Sequence, residues 1–244
     1  MHRPDQLLGR RAHLGAVHPG GIAVVTDPQR IPGEPMIDID RVAVAVDDMV
    51  LLPPTSASVR AGEVLVVRGQ NGAGKSTLLK VLAGVRMPTG GSVAIGGEPV
   101  NRRDRTFRRR VASLLGLPPT APDLTVEDHV RLVAATWFRE RDVAEETALG
   151  VLTELGLNGL LRRFPHELSS GQQQLFALAL VLARPFDVLV LDEPEQRLDD
   201  ERVGVVGDVL ARRRSGGAAI VVATHSSALM ERLADRVLEL DRAS

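Results

Sequence analysis

The sequence GQNGAGKST at residues 69–77 decides the fold class of this chain. Its pattern is G-x-x-x-x-G-K-[ST], with the fixed positions filled by Gly69, Gly74, Lys75 and Ser76. A strand pattern precedes it and a helical pattern follows. Glycines let backbone N–H groups turn towards phosphate oxygens, and the N-terminus of the following helix adds its positive dipole end. The stretch therefore predicts a phosphate-binding loop, with Lys75 at the β- and γ-phosphates and the Ser76 hydroxyl at Mg²⁺.

The composition narrows the class of protein. The chain has 244 residues, which suits one α/β domain, and 44% of them are apolar. A net charge of −1 provides no basic field, so no nucleic-acid partner is expected. Because cysteine is absent, disulfides, thiol catalysis and cysteine-based metal sites are excluded. The apolar run LFALALVLA (175–183) is about half of the ~20 residues that a spanning helix needs, so a cytoplasmic protein is expected.

The chain alternates between strand and helix patterns after an atypical beginning. Residues 1–35 are rich in Gly, Pro, His and Arg, which predicts a disordered extension. Met36, which precedes the first regular pattern, is a candidate for the natural start. A charged helical block at about 122–167 predicts an insertion into an α/β core. Strands are predicted at 41–46, 63–69, 92–97, 112–117, 186–192, 218–225 and 237–240, and helices at 76–85, 126–138 and 143–155.

Two adjacent acids end the apolar strand pattern DVLVLDEP. In an α/β sheet this end faces the ligand crevice, and neighbouring residues there point in different directions. Asp192 is therefore a candidate Mg²⁺ ligand, and Glu193 a candidate general base for a water that attacks the γ-phosphate. Without the phosphate-binding loop, the two acids would equally suit a solvated turn.

A second helix start lies in LSSGQQQLFALALVLA (168–183). Ser169 with Gln172, and Ser170 with Gln173, both fit the spacing of a capping box. The helix behind it is strongly apolar and hence buried, and an anion suits its N-terminus. The motif alone fits a capped core helix equally well.

Together these motifs resemble the ATP-binding cassette (ABC) family. LSSGQQQ resembles the family signature LSGGQ, and LDEP resembles the Walker B motif with its catalytic glutamate. Leu198 and Asp199 resemble the D-loop, and ATH (223–225) resembles the switch histidine. The resemblance covers about residues 37–241. It implies a P-loop NTPase core whose mixed, largely parallel sheet carries an antiparallel β edge and a small helical subdomain.

The resemblance also implies roles for individual residues in a Mg²⁺-dependent ATPase. Members of the family work as head-to-tail dimers in which two ATP molecules lie between the phosphate loop of one subunit and the signature of the other. Glu193 and His225 would be catalytic, and Ser76 and Asp192 would hold Mg²⁺. The residues that would contact ATP are Gly69, Gln70, Asn71, Gly72, Ala73, Gly74, Lys75, Ser76 and Thr77 in the loop, and Ser169, Gly171, Gln172 and Asp199 across the dimer seam.

The sequence departs from the family pattern at two functional positions. The glutamine that reaches Mg²⁺ and the attacking water falls at Gly116 or Leu117, and no glutamine occurs from 71 through 171. We therefore expect nucleotide binding to survive and coupling to a partner to be weakened. The aromatic residue that stacks on adenine falls near Val46, and its loss removes about 1–3 kcal/mol of stacking by analogy with nucleic-acid binding.

Six arginines lie in RRDRTFRRR (102–110), which indicates a solvated face or, as the sharper alternative, a contact with a partner protein or membrane headgroups. The leading hypothesis is the ATPase subunit of a membrane transporter, bound to an integral membrane permease at the inner face of the cell membrane. It would form a homodimer, or a heterodimer with another ABC ATPase. The alternatives are an ATP-gated dimerising module with little hydrolysis and a soluble ABC protein without a transport role.

Overall fold

The strands of the chain form two separate sheets in the computed structural model, which describes residues 34–241. The strands are β1 (Ile37–Val46), β2 (Met49–Val59), β3 (Val64–Gly69), β4 (Gly90–Ile95), β5 (Glu98–Pro99), β6 (Val111–Leu114), β7 (Val188–Asp192), β8 (Ala219–Ala223) and β9 (Arg236–Leu240). Five pair in parallel in the order β6-β7-β8-β3-β9, and four pair antiparallel in the order β2-β1-β4-β5. The α/β class is confirmed, with the antiparallel strands in a sheet of their own rather than along an edge of the parallel one.

The parallel sheet is buried on both faces, which explains its continuous apolar strands. Along β3, Val64 and Val66 belong to one hydrophobic cluster, whereas Leu65 and Val67 belong to the other. The first cluster contains most of the helices, and the second contains the first helix and the antiparallel sheet. Since successive side chains point to opposite faces, strands such as VLVLD must be apolar at every position.

Seven α-helices surround the sheets in the described part of the chain. They are α1 (Lys75–Leu82), α2 (Arg105–Arg110), α3 (Val126–Trp137), α4 (Arg141–Glu154), α5 (Ser170–Leu182), α6 (Asp200–Ser215) and α7 (Ser227–Leu233). The predicted insertion corresponds to α3, α4 and two short 3₁₀ turns. Its apolar residues share one cluster with α5 and the parallel sheet, so the insertion has no separate core.

Strand β2 was absent from the sequence prediction because Pro53 and Pro54 interrupt its pattern. Proline cannot donate a ladder hydrogen bond and is confined to edges. Among residues 34–241, β2 is an edge strand of the antiparallel sheet and pairs only with β1. The two prolines are therefore compatible with β2, although they make the strand hard to recognise in the sequence.

The beginning of the chain is described from Glu34. The predicted disordered extension, residues 1–35, lies outside the described residues except for its last two positions. Met36 is buried, and its backbone N–H donates to the carbonyl of Val59 at 2.7 Å. No helix among residues 34–241 is long and apolar enough to cross a membrane.

Candidate nucleotide site

The phosphate loop joins the carboxyl end of β3 to the first turn of α1. Two glycines are required by its close contacts. A Cβ atom at Gly69 would lie 2.4 Å from the carbonyl oxygen of Leu240, and one at Gly74 would lie 2.7 Å from that of Leu51. Both glycines also have positive φ angles, 143° and 99°, which other residues adopt only with strain. The local chain therefore needs glycine to turn from strand into helix here.

Lys75 is buried within this loop. The side-chain Nζ donates to the carbonyl oxygens of Gly69 at 2.7 Å and Gln70 at 3.3 Å. These contacts hold the ammonium group against the backbone that the sequence predicts to surround phosphates. Ser76 is exposed beside it, in the first turn of α1.

Three parallel strands bring the other predicted residues to the same edge of the sheet. Strand β8 lies between β7 and β3, so the residues after β8 lie between those after the other two strands. Asp192 is the last residue of β7 and pairs with Ala223, the last residue of β8. Glu193 and His225 follow these two strand ends. The phosphate loop, the carboxylates and the histidine therefore share one crevice at the carboxyl edge of the sheet.

Glu193 is held in a strained backbone conformation at this edge. Its φ angle is 48°, a left-handed value that costs a residue other than glycine about 1–3 kcal/mol. The backbone N–H of Glu193 donates to the carbonyl of Ala223 at 2.8 Å, which fixes the turn against β8. Strain of this kind is concentrated at functional sites.

The side chains of Glu193 and His225 meet across the crevice. His225 Nε2 lies 3.6 Å from Glu193 Oε1, and the Gln196 amide donates to Glu193 Oε2 at 3.1 Å. The imidazole ring is about half-exposed, so it is open to a ligand from solvent. The arrangement provides a carboxylate that can accept a proton, with an imidazole beside it.

Three further polar residues around this pair were not predicted from the sequence. The buried amide of Gln174, on α5, donates to the carbonyls of Glu193 and Pro194 at 3.2 Å each. Glu195 accepts hydrogen bonds from the Thr224 hydroxyl and from the backbone N–H of His225. The sequence offered one signal for Gln174, which is its place on a strongly apolar helix. A polar side chain buried there requires hydrogen-bond partners.

The helix start at Ser169 forms the predicted capping box. The Ser169 hydroxyl accepts from the Gln172 N–H at 3.3 Å, and the Gln172 side chain accepts from the Ser169 N–H at 2.9 Å. A Cβ atom at Gly171 would lie 2.8 Å from the carbonyl oxygen of Arg197, so this helix start packs closely on the loop after β7. Within residues 34–241, no hydrogen bond or ion pair joins Ser169, Gly171 or Gln172 to residues 69–77.

Asp199 has a local structural role. It is the N-cap of α6, where its carboxylate accepts from the Arg202 N–H at 2.9 Å and pairs with the Arg202 guanidinium at 3.2 Å. These contacts are those of an ordinary helix start. The predicted position of Asp199 at a dimer seam stays a proposal.

The two positions that depart from the family pattern are exposed. Strand β6 ends at Leu114, two residues before Gly116, whose φ angle is 128°. A glutamine at residue 116 would find open space around its Cβ but would be strained in this conformation. Leu117 is exposed, and so is Val46 at the end of β1.

The basic cluster forms one wall of a cavity of about 250 Å³ between α2 and the end of α3. We call it the arginine pocket, and it is lined by Arg105, Arg108, Arg109, Thr136 and Trp137. Arg184 lies over the ring of Trp137, 4.0 Å from its centroid, and its buried Nε and Nη2 have no hydrogen-bond partner among residues 34–241. Burial lowers the pKa of Arg184 to about 10, so the group remains cationic at neutral pH.

Comparisons with known proteins show the family and the fold of the chain. The sequence profile of the ABC transporter family matches residues 52–196. The glutamate/aspartate import ATP-binding protein of Escherichia coli is 31% identical over 210 residues, which cover 84% of this chain and 87% of that protein. The lipoprotein-releasing system ATP-binding protein of Aquifex aeolicus is 34% identical over 195 residues, covering 78% and 87% of the two chains. The solved structure of an ATP-binding subunit of an ABC transporter has a TM-score of 0.76 and 27% identity, covering 86% of this chain and 88% of that one.

Proposed function

This chain belongs to the ABC transporter family, and we propose that it is the subunit that hydrolyses ATP to power a transporter in a membrane. The observation that carries the proposal is the pair of Glu193 and His225, 3.6 Å apart at the sheet edge that also bears the phosphate loop. This pair supplies a proton acceptor and an imidazole beside the phosphate loop, which favours hydrolysis over nucleotide binding alone.

The positions of these residues support hydrolysis of ATP. The loop N–H groups and Lys75 bind the ATP phosphates, and the N-terminus of α1 points its positive dipole end at them. Glu193 accepts a proton from the water whose oxygen bonds to the γ-phosphorus, while the bond to the bridging oxygen breaks to release ADP and phosphate. His225, which lies between the phosphate loop and Glu193, contacts the γ-phosphate and orients Glu193 and the attacking water.

The donors at the crevice fit a magnesium ion. Mg²⁺ binds proteins through one or two carboxylates together with phosphate oxygens, and Asp192 with the Ser76 hydroxyl provides such a set. Bound there, the ion would neutralise charge that develops on the phosphate oxygens. Asp192, at the end of β7, and Ser76, in the first turn of α1, would hold it.

We propose that the second anion-binding helix start serves the ATP of another subunit. Ser169, Gly171 and Gln172 make no hydrogen bond to the phosphate loop of their own chain within the described residues. The N–H groups at the start of α5 would therefore meet the γ-phosphate in trans, in a homodimer or in a heterodimer with another ABC ATPase.

Mixing two defective variants tests this arrangement. Lys75→Ala removes the phosphate-loop ammonium, and Ser169→Arg blocks the helix start with a bulky side chain. Each homodimer would contain no intact site, whereas a mixed dimer would contain one, so mixing should restore phosphate release. If the mixture stays as inactive as its components, nucleotide sites shared between subunits are excluded.

The arginine pocket provides a surface for the membrane partner. Among residues 34–241, the side chains of Arg105 and Arg109 make no hydrogen bond or ion pair, and the guanidinium of Arg184 lies over the ring of Trp137. An acidic group on a cytoplasmic segment of a permease would complement this charge and would hold the chain at the inner face of the membrane.

Affinity purification from membranes tests the partnership. The wild-type chain should recover an integral membrane protein, and Arg105→Glu with Arg109→Glu should weaken the recovery. Arg103→Glu, a change in the same basic segment outside the pocket lining, is the matched control. Repeated recovery of no integral membrane protein would contradict the transport role and favour a soluble ABC protein.

Gly116 supports the second candidate, an ATP-gated dimerising module with little hydrolysis. The family glutamine is missing there, and the positive φ angle at Gly116 shows a backbone shaped for glycine. ATP would then close the dimer without rapid turnover. The two candidates differ in the rate of phosphate release and in its dependence on Glu193.

A further inference from the structure

The proposed hydrolysis leaves unexplained a third carboxylate in the crevice, and we propose that Glu195 is a positioning residue for His225. Glu195 Oε1 accepts two hydrogen bonds from the loop that carries the histidine, from the Thr224 hydroxyl at 2.5 Å and from the His225 backbone N–H at 3.1 Å. This inference rests on the proposed function, because it assigns Glu195 a role in the same reaction.

The contacts place Glu195 at the centre of a short hydrogen-bonded chain. Thr224 is almost fully buried, and its hydroxyl also accepts from the Ser226 N–H at 3.0 Å. The Ser226 side chain in turn caps α7 through the Leu229 N–H at 3.3 Å. Residues 224–226 are the whole connection between β8 and α7. Glu195 therefore ties this connection to the loop that carries Glu193.

The geometry makes Glu195 act through His225 rather than on the reacting atoms. Its Oε1 faces the backbone at residue 225, and its Oε2 is buried with no hydrogen-bond partner in the described part of the chain. Glu193, in contrast, directs Oε1 towards the imidazole and Oε2 towards Gln196. The proton acceptor is thus Glu193, and Glu195 sets where the imidazole lies relative to it.

A positioning role and a chemical role predict different effects of a neutral replacement. In Glu195→Gln the amide oxygen can still accept from Thr224 and His225, whereas Glu195→Ala removes the acceptor. We expect Glu195→Gln to keep most of the phosphate-release rate. We expect Glu195→Ala to lower kcat on the order of tenfold, the size of a lost hydrogen bond to a charged group, with ATP affinity unchanged because the phosphate loop is not touched.

The test uses the full chain and measures steady-state phosphate release and binding of a fluorescent ATP analogue. Glu201→Ala, which removes an exposed acid from the first turn of α6, is the charge control and should match wild type. In a double variant that combines the two changes, Glu195→Ala should add little to the loss of phosphate-release rate caused by His225→Ala, because both changes disable the same histidine. Equal losses in Glu195→Gln and Glu195→Ala, or fully additive losses in the double variant, would overturn the proposal.

A second readout separates this proposal from the proposed hydrolysis. Hydrogen exchange of the His225 amide can be measured without nucleotide. Glu195→Ala should speed the exchange, while Glu195→Gln and Glu201→Ala should leave it slow. If wild-type protein releases no phosphate, the proposed hydrolysis fails, and unchanged exchange in Glu195→Ala would refute the positioning role independently.

Discussion

Two neighbouring arginines on α6 should differ sharply in what they contribute to stability. Arg213, 7% exposed, makes a two-point contact with Glu154 at the end of α4, with Nη2 at 2.6 Å from Oε2 and Nη1 at 3.4 Å from Oε1. Arg212 approaches the same carboxylate only through Nε at 3.8 Å, and its side chain is 50% exposed. Replacing each arginine by alanine therefore compares a buried and an exposed contact to one partner.

The magnitude follows from burial. Breaking a buried ion pair by removing one partner costs about 3–5 kcal/mol. Glu154 is 20% exposed and keeps its contact with Arg212. We therefore expect Arg213→Ala to lower the free energy of unfolding by about 2–3 kcal/mol. Exposed pairs contribute about 0–1 kcal/mol, so Arg212→Ala should cost less than about 0.5 kcal/mol.

Urea unfolding followed by circular dichroism measures both variants at neutral pH. A matched slope of free energy against urea would confirm that only stability has changed. The double variant with Glu154→Ala and Arg213→Met should recover much of the loss, because it leaves no buried charge without a partner. Equal losses for Arg212→Ala and Arg213→Ala, or a loss below about 1 kcal/mol for Arg213→Ala, would refute this reasoning.

Three other changes test separate parts of the structure. Hydrogen bonds from the Thr125 side chain, and then from its backbone N–H, lower the pKa of Asp128 below its ordinary value of 3.8. Because this stabilising contribution is present above pH 3.8 and is lost as the pH falls through the lowered pKa, the unfolding free energies of wild type and Asp128→Asn should differ at pH 7 and converge once the pH is below that pKa. A difference independent of pH would contradict it. Val46→Phe should tighten ATP binding by about fivefold in a fluorescence titration, since a stacked ring adds about 1 kcal/mol, and unchanged affinity would place adenine elsewhere. Gly171→Ala should weaken ATP-driven dimerisation, measured by size-exclusion chromatography, without weakening ATP binding by the monomer. The reason is that the added Cβ would lie 2.8 Å from the Arg197 carbonyl oxygen and would disturb this helix start. Dimerisation of the variant at the same ATP concentration as wild type would contradict this prediction.

Local chemistry made much of the fold predictable. The predicted strands all occur, because apolar runs bounded by glycine, proline or aspartate leave few alternatives. The predicted 112–117 strand stops at Leu114, since the positive φ angle at Gly116 leaves the strand conformation. Sequence patterns could not reveal the antiparallel sheet as a separate layer, because strand pairing is a long-range property that short windows do not contain.

Residues of the candidate site could be predicted from the sequence where their motif points to a single chemical role. Spacing and the flanking strand and helix patterns predicted the phosphate loop and the adjacent acids Asp192 and Glu193, and the structure brings them to one edge of the parallel sheet. The supporting contacts of Gln174 and Glu195 were not predictable, because they join α5, the loop after β7 and the end of β8, which are far apart in sequence. Asp199 fits both a helix cap and a dimer seam, and spacing does not distinguish these.

Phosphate release by purified wild type and Glu193→Gln tests the central proposal most directly. If Glu193 takes the proton from the attacking water, the wild type releases phosphate from ATP with Mg²⁺. The amide variant should then lose at least about 100-fold in kcat, the lower range for general-base catalysis, while its ATP affinity stays at the wild-type value. Equal rates for the two proteins, or no release by wild-type protein that binds ATP, would contradict hydrolysis by this site and leave an ATP-gated module.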